Sequence, residues 1–350
     1  MLASLLRIIL LTATLKILER GLDKGPIIME FVIEVIALES NVEGDFLMST
    51  TRWLDTQTRE LNEAIELLID CVEDDSTGTI VWRNWKLEKV FEANENICLN
   101  GRNIEYNLIK GSYDQISGGS APIEDRTVKK AIFIIVYWNG ASINYIINQN
   151  SSAQKMLRKL LSYTGKNEIS KNVYNFNNDF FVWLISKVYN SDNIIETNND
   201  DLSTLQLESI KGFRGDTEDL QTKVSATCES VMNIISTLSF FLESRRLDQI
   251  KIEFSYDKHE NISLTLKNGT ISIDFAPYQG EFEDDSRDIM KSKLYLLVYL
   301  EILPILDQEY QSDVSNEIWG ENAYKSFMGN VASEITQRIN DKIEAMGNSQ

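Results

Sequence analysis

A chain of 350 residues with 43% hydrophobic and 25% charged residues has a globular balance, which excludes intrinsic disorder and leaves room for one large or two ordinary domains. Its formal net charge of −19 opposes generic binding to nucleic-acid phosphates or anionic lipid, since the long-range field repels both. A single histidine excludes zinc sites built on several imidazoles, and three cysteines without C-x-x-C spacing favour reduced thiols in a cytoplasmic protein over a disulfide framework.

Within the first 28 residues, 2–18 form an apolar stretch broken by Arg7 and Lys16, too short a run to cross a bilayer and without a formed signal-peptide cleavage site. They are expected to be an accessory helix, or an extension upstream of a start at Met29. From Met29 the chain reads as a strand over 30–38, with Glu30 and Glu34 on one face. Leu61, Ala64, Ile65, Leu68, Cys71 and Val72 then mark an amphipathic helix ending in Glu73-Asp74-Asp75. Strands are predicted over 80–85, 96–99 and 103–109, the last two joined at Asn100-Gly101. A loop over 116–125 contains Gly118-Gly119-Ser120. Residues 131–137 are apolar without alternation, as in a strand buried on both faces, and Asn139-Gly140 turns the chain into a strand over 142–148.

Ser151 or Ser152 is placed to cap a helix carrying Met156, Leu157, Leu160 and Leu161. A second helix is predicted over 178–189 with Phe181, Leu184, Ile185 and Val188. The polar stretch 190–201 reads as a linker between a β-rich α+β domain, 29–189, and a helix-dominated α+β domain, 202–346.

Within the second half, Leu220, Val224, Cys228, Val231, Ile235, Leu238 and Leu242 recur at helical spacing, with Ile234 and Phe241 widening the stripe, and predict one long helix over 216–242. Three alternating runs follow: Ile250, Ile252, Phe254 and Tyr256; then Ile262, Leu264 and Leu266; then Ile271, Ile273 and Phe275. They predict an antiparallel meander, its last two strands joined by a type I′ turn at Asn268-Gly269. A buried helix is expected over 288–306, ended or kinked by Pro304, and a last helix over 316–346 with Trp319, Phe327, Val331, Ile335, Ile339 and Ile343. The fold class is therefore α+β: a β-rich N-terminal half with antiparallel hairpins, and a C-terminal half with a long helix on a three-stranded meander plus further helices.

No phosphate-loop, dinucleotide or nucleophile-elbow pattern occurs. His259, in Asp257-Lys258-His259-Glu260-Asn261, reads as a solvated turn residue. Glu281, Glu283, Asp284, Asp285 and Asp288 bunch before a helix. Such oxygen ligands suit Mg²⁺ or Mn²⁺ in a metal-dependent nuclease or phosphodiesterase, though acids at a helix start ordinarily cap it and complement its dipole. Lys155, Arg158 and Lys159 share a helix face, with Lys166 and Lys171 following and Tyr163 and Tyr174 interleaved, a pattern that would suit phosphate contacts with base stacking. Weighed against a solvated helix face, this island is the local basis for an alternative nucleic-acid-binding role. The leading expectation is a non-enzymatic binding subunit with a protein partner, no membrane span and no cofactor. Heavy use of Asn, Ile and Lys fits an AT-rich genome, from which a bacterial source and a place in antiviral defence or on a mobile element are expected.

Overall fold

The first of two seven-stranded antiparallel sheets is built from β1 (Thr51–Asp55), β2 (Ile80–Lys89), β3 (Glu95–Leu99), β4 (Arg102–Ser117), β5 (Thr127–Trp138), β6 (Ile143–Ile147) and β7 (Ile169–Lys171), in the order β2-β4-β5-β6-β1-β7 with β3 also on β4. The computed structural model describes residues 48–57, 60–70, 80–174, 176–196, 203–217, 223–227, 239, 241–242 and 244–347. The accessory helix and the strand over 30–38 lie outside these residues, as do Cys71 and Cys228.

The unalternating run in β5 is explained by burial on both sides. Ile134 and Val136 join a core with α1 (Leu61–Ile69) and α2 (Ala153–Leu160), while Ile135 and Tyr137 join a second core on the opposite face. Successive strand side chains point to opposite faces, and both faces here are dry. The hairpin tip at Asn100-Gly101 has φ of +49° and +67°, as a type I′ turn requires.

The second sheet comprises β8 (Ile194–Glu196), β9 (Thr204–Thr217), β10 (Lys223–Thr227), β11 (Ser244–Tyr256), β12 (His259–Lys267), β13 (Thr270–Asp274) and β14 (Gln279–Gly280), in the order β10-β9-β11-β12-β13, with β8 on β9 and β14 on β12. The meander β11-β12-β13 has the expected registers, Ile252 opposite Leu264 and Leu264 opposite Ile273. Two expectations need correction. Residues 216–217 and 223–227 are strand, not the start of a long helix; residues 228–238 lie outside the described set, and 239, 241 and 242 are helical. β9 pairs with both β10 and β11, and these non-local ladder bonds override the helical spacing that included Val224; Leu220 lies outside the described residues. At Asn268-Gly269 only Gly269 has positive φ, +72°, which rules out type I′. The turn abuts Lys171 and Val173 from the end of β7. In the predicted linker, residues 194–196 form β8.

A helical layer packs with both sheets. It contains α3 (Asn178–Tyr189), α4 (Arg287–Leu297), a π-helical turn (Val298–Ile302) and α5 (Leu303–Ser315), with α6 (Glu321–Gly347) following. Its apolar residues share one core with the inward faces of both sheets. The sheets meet where the Thr50 and Ile271 backbones exchange hydrogen bonds of 2.7 and 3.1 Å. All of this belongs to one compact unit, Leu47–Gln350.

Pro304 does not end the helical run, which passes from the π turn into Leu303–Ser315 by a change of pitch. The Leu303 N–H bonds to the Val298 carbonyl, five residues back, and Pro304 has no N–H, so the Tyr299 and Leu300 carbonyls are released from the helix ladder. Arg52 Nη1 donates to Tyr299 O at 3.0 Å and Asn100 Nδ2 to Leu300 O at 3.3 Å. The last turns of α6 leave the core: Ile335 is buried, but Ile339, Ile343 and Met346 are 44%, 62% and 61% exposed. Among the described residues, no helix is long and apolar enough to cross a membrane.

Candidate functional site

A cleft of about 580 Å³ opens where five parts of the chain converge: the β3–β4 hairpin, Ser203 just ahead of β9, the β11–β12 turn, the segment after β14, and the face of α4 and its π turn that carries Lys293, Leu297 and Glu301. Each wall follows from local chemistry. The type I′ tip points the Asn100 N–H at the Glu301 carboxylate, which accepts its hydrogen bond. Gly280, at φ +142°, lets β14 close on the β11–β12 turn; a Cβ there would lie 2.4 Å from the Lys258 carbonyl oxygen.

Glu301 is the buried charge of the cleft, 7% exposed. Burial pushes its carboxyl above the ordinary range, and the nearby Asp257 adds to this, while hydrogen bonds from the Asn100 N–H and the Tyr256 hydroxyl oppose it. Both donors are neutral. Burial, and then the Glu301 charge, raises Tyr256 in turn. Because Glu301 binds its proton more tightly folded than unfolded, the associated stability is present below the ordinary carboxylate range. It is lost as pH rises through the raised value, so ionisation of this group costs stability.

His259 is not the solvated turn residue expected. It is 5% exposed, lies 4.5 Å from the Phe282 ring centroid, and its Nδ1 is 2.8 Å from the Tyr278 hydroxyl. The β12–β14 pairing, with His259 opposite Gly280, draws the imidazole under Phe282. Burial lowers its pKa, against the raising pull of Glu281 and Asp257, so it is neutral at pH 7. The Tyr278 hydroxyl accepts the Phe282 N–H at 3.2 Å, and burial pushes it up to about 12. Where that hydroxyl donates to Nδ1, the proton of the neutral imidazole lies on Nε2.

The acidic residues singled out from sequence disperse. Glu281 lines the cleft and pairs with Lys258 at 3.6 Å; Asp285 pairs with Lys293 at 2.8 Å; Asp288 pairs with Lys110 from β4. Glu283 and Asp284 are exposed. Among the described residues, no three His, Cys, Asp or Glu side chains converge as a metal site.

The basic residues are brought together only in part. Lys155, 5.6 Å over the Trp82 ring, Arg158, 3.4 Å from Glu168, and Lys159, donating to Trp82 O at 3.2 Å, sit together on α2 against β2. Lys166 is exposed in the loop beyond, and Lys171 lies against the Gly269 turn. The two tyrosines face inward contacts. The Tyr163 hydroxyl donates to Asp55 at 2.9 Å, and the Tyr174 ring lies 5.2 Å from the Arg52 guanidinium carbon.

Sequence reading missed Glu301, Tyr256 and Asn100 as one group. The signal was a lone acid inside the apolar run 294–303, since an ionisable residue in a buried helix demands partners. No protein-family model matches this chain, and no curated protein is similar to it in sequence.

Proposed function

We propose that the protein is a non-enzymatic binding protein of the cytoplasm, and that its ligand is received in the Glu301 cleft. The observation that carries this is a carboxyl group buried in the wall of an open cleft. Its oxygens are pinned by fixed neutral donors, and His259 is tied to Tyr278 and covered by Phe282, an arrangement suited to recognition. The free, exposed Cys98 at the rim supports a reducing compartment.

Glu301→Gln separates a binding role from a structural one. The variant is expected to melt at or above the wild-type temperature at pH 8, with the difference shrinking towards pH 4 as the wild-type carboxyl protonates. A mixed-charge fragment panel is expected to yield hits that move the His259 ring resonances. A clear drop in melting temperature at pH 8, or hits that leave His259 unmoved, would refute the assignment.

The role of assembly subunit rests on α6. Ile339, Ile343 and Met346, at i, i+4 and i+7, form one exposed apolar row. An amphipathic helix of a partner protein covers such a row by helix packing. Replacing Ile343 by Lys is expected to leave the melting temperature within about 0.5 kcal/mol-equivalent of wild type, the usual range for a surface site. The native complex recovered by size exclusion with light scattering should lose its partner's mass. Retention of the full mass would exclude α6 as the contact.

A further inference from the structure

Resting on the cleft as the binding surface, we propose that its ligand is an aliphatic amine, whose ammonium group sits on the Glu301 carboxylate. The charge balance of the walls points to this class. Lys293, the cation on the same helix face, is committed to Asp285 at 2.8 Å and lies 5.4 Å over the Phe282 ring. It stands eight residues from Glu301, about 12 Å along the helix at 1.5 Å per residue, and so beyond ion-pair reach. Lys258 is likewise turned to Glu281. Among the described residues no cation is paired with Glu301, whose carboxyl takes its hydrogen bonds from the Asn100 N–H and the Tyr256 hydroxyl.

A buried carboxylate of this kind is strongly favoured by a cation that arrives with its own N–H donors, because a charge-assisted hydrogen bond in a desolvated site exceeds one from a neutral group. An anionic ligand would meet Asp257, Glu281 and Glu301 together, and a neutral one would leave the charge uncompensated. The walls also suit the carbon chain of an amine. Leu297, Phe282 and the Tyr256 ring supply apolar and aromatic lining. Lys293 over Phe282, with Asp285 beside it, already shows an alkylammonium held in this cleft by one ring and one carboxylate.

Three four-carbon probes of equal length test the class by calorimetry: 1,4-diaminobutane, 1,4-butanediol and succinate. His259 is the only histidine of the chain, so its ring resonances report cleft occupancy without assignment. The diamine is expected to bind at one site and shift the His259 signals, and Glu301→Gln to weaken it at least tenfold while leaving the His259 signals of the unliganded variant in place. Equal diamine affinity in the variant overturns the proposal. Cleft binding by the diol or succinate without the diamine overturns the ligand class and leaves the cleft standing. No binding by any probe, with His259 unmoved by the mixed-charge panel as well, overturns both.

Discussion

Lys187→Met is expected to destabilise the fold by about 3–5 kcal/mol in urea titration, the usual cost of leaving a buried charge without its partner. Lys187 is 8% exposed on α3, and its Nζ lies 3.0 Å from Asp313 and Asp192 and 3.5 Å from Glu309. Asp313, on α5, is only 4% exposed and keeps just the Trp183 Nε1–H, at 2.9 Å, once the ammonium is gone. Burial pulls the lysine pKa down, but hydrogen bonds to Asp192 and Asp313 overcome this and hold it above its ordinary value. Its contribution is therefore complete at neutral pH and is lost only as alkaline pH passes the raised value. Removing both charges, Lys187→Met with Asp313→Leu, should recover most of the loss, since a well-packed apolar pair replaces a buried ion pair at little cost. A loss below about 1 kcal/mol in the single variant would show that the pair is solvated in solution.

Elements whose pattern is local were legible from the chain. The helix over 178–189 appears with those bounds, the two-sided burial of 131–137 appears as β5, and Asn100-Gly101 forms the turn its residues favour. Pairing between distant segments was not legible. β9 carries buried Leu205 and Leu207 in alternation, but bulges opposite β11 shift its later apolar residues to Ile210 and Phe213, which blurs the period of two. The cleft failed to show for a related reason. Asn100, Tyr256, His259 and Glu301 come from four segments, and each alone is an ordinary turn, strand or helix residue. The acid at 301 inside an apolar run was a signal that went unread, and its partner is a backbone N–H that no residue type announces. Glu281 does reach the cleft rim, so the acidic exit from the meander marked one wall without revealing its chemistry.

Arg52→Met is expected to cost about 3–4 kcal/mol, because it orphans buried carbonyl groups at about 1–3 kcal/mol each. Arg52 is 8% exposed in β1, and no carboxylate is paired with it among the described residues. Its guanidinium instead donates to Asn172 O at 2.7 Å, to Asn172 Oδ1 at 3.1 Å and to Tyr299 O at 3.0 Å, between the rings of Tyr174 and Tyr299. This planar fork holds the first sheet to the π turn, and lysine, a point donor, cannot span the same acceptors, so Arg52→Lys should recover little. Pro304→Ala provides the discriminating cycle. An alanine N–H returns a donor to the ladder where the Tyr299 and Leu300 carbonyls lack one. It should therefore recover about 1 kcal/mol in the Arg52→Met background and less in the wild type, where Arg52 and Asn100 already serve those carbonyls. Strict additivity of the two substitutions would mean that Arg52 does not act through the released carbonyls. Coupling would mean that the proline, the π turn and the arginine form one device. By setting the pitch of the helix at residues 298–302, that device also turns Glu301 towards Asn100 and into the cleft.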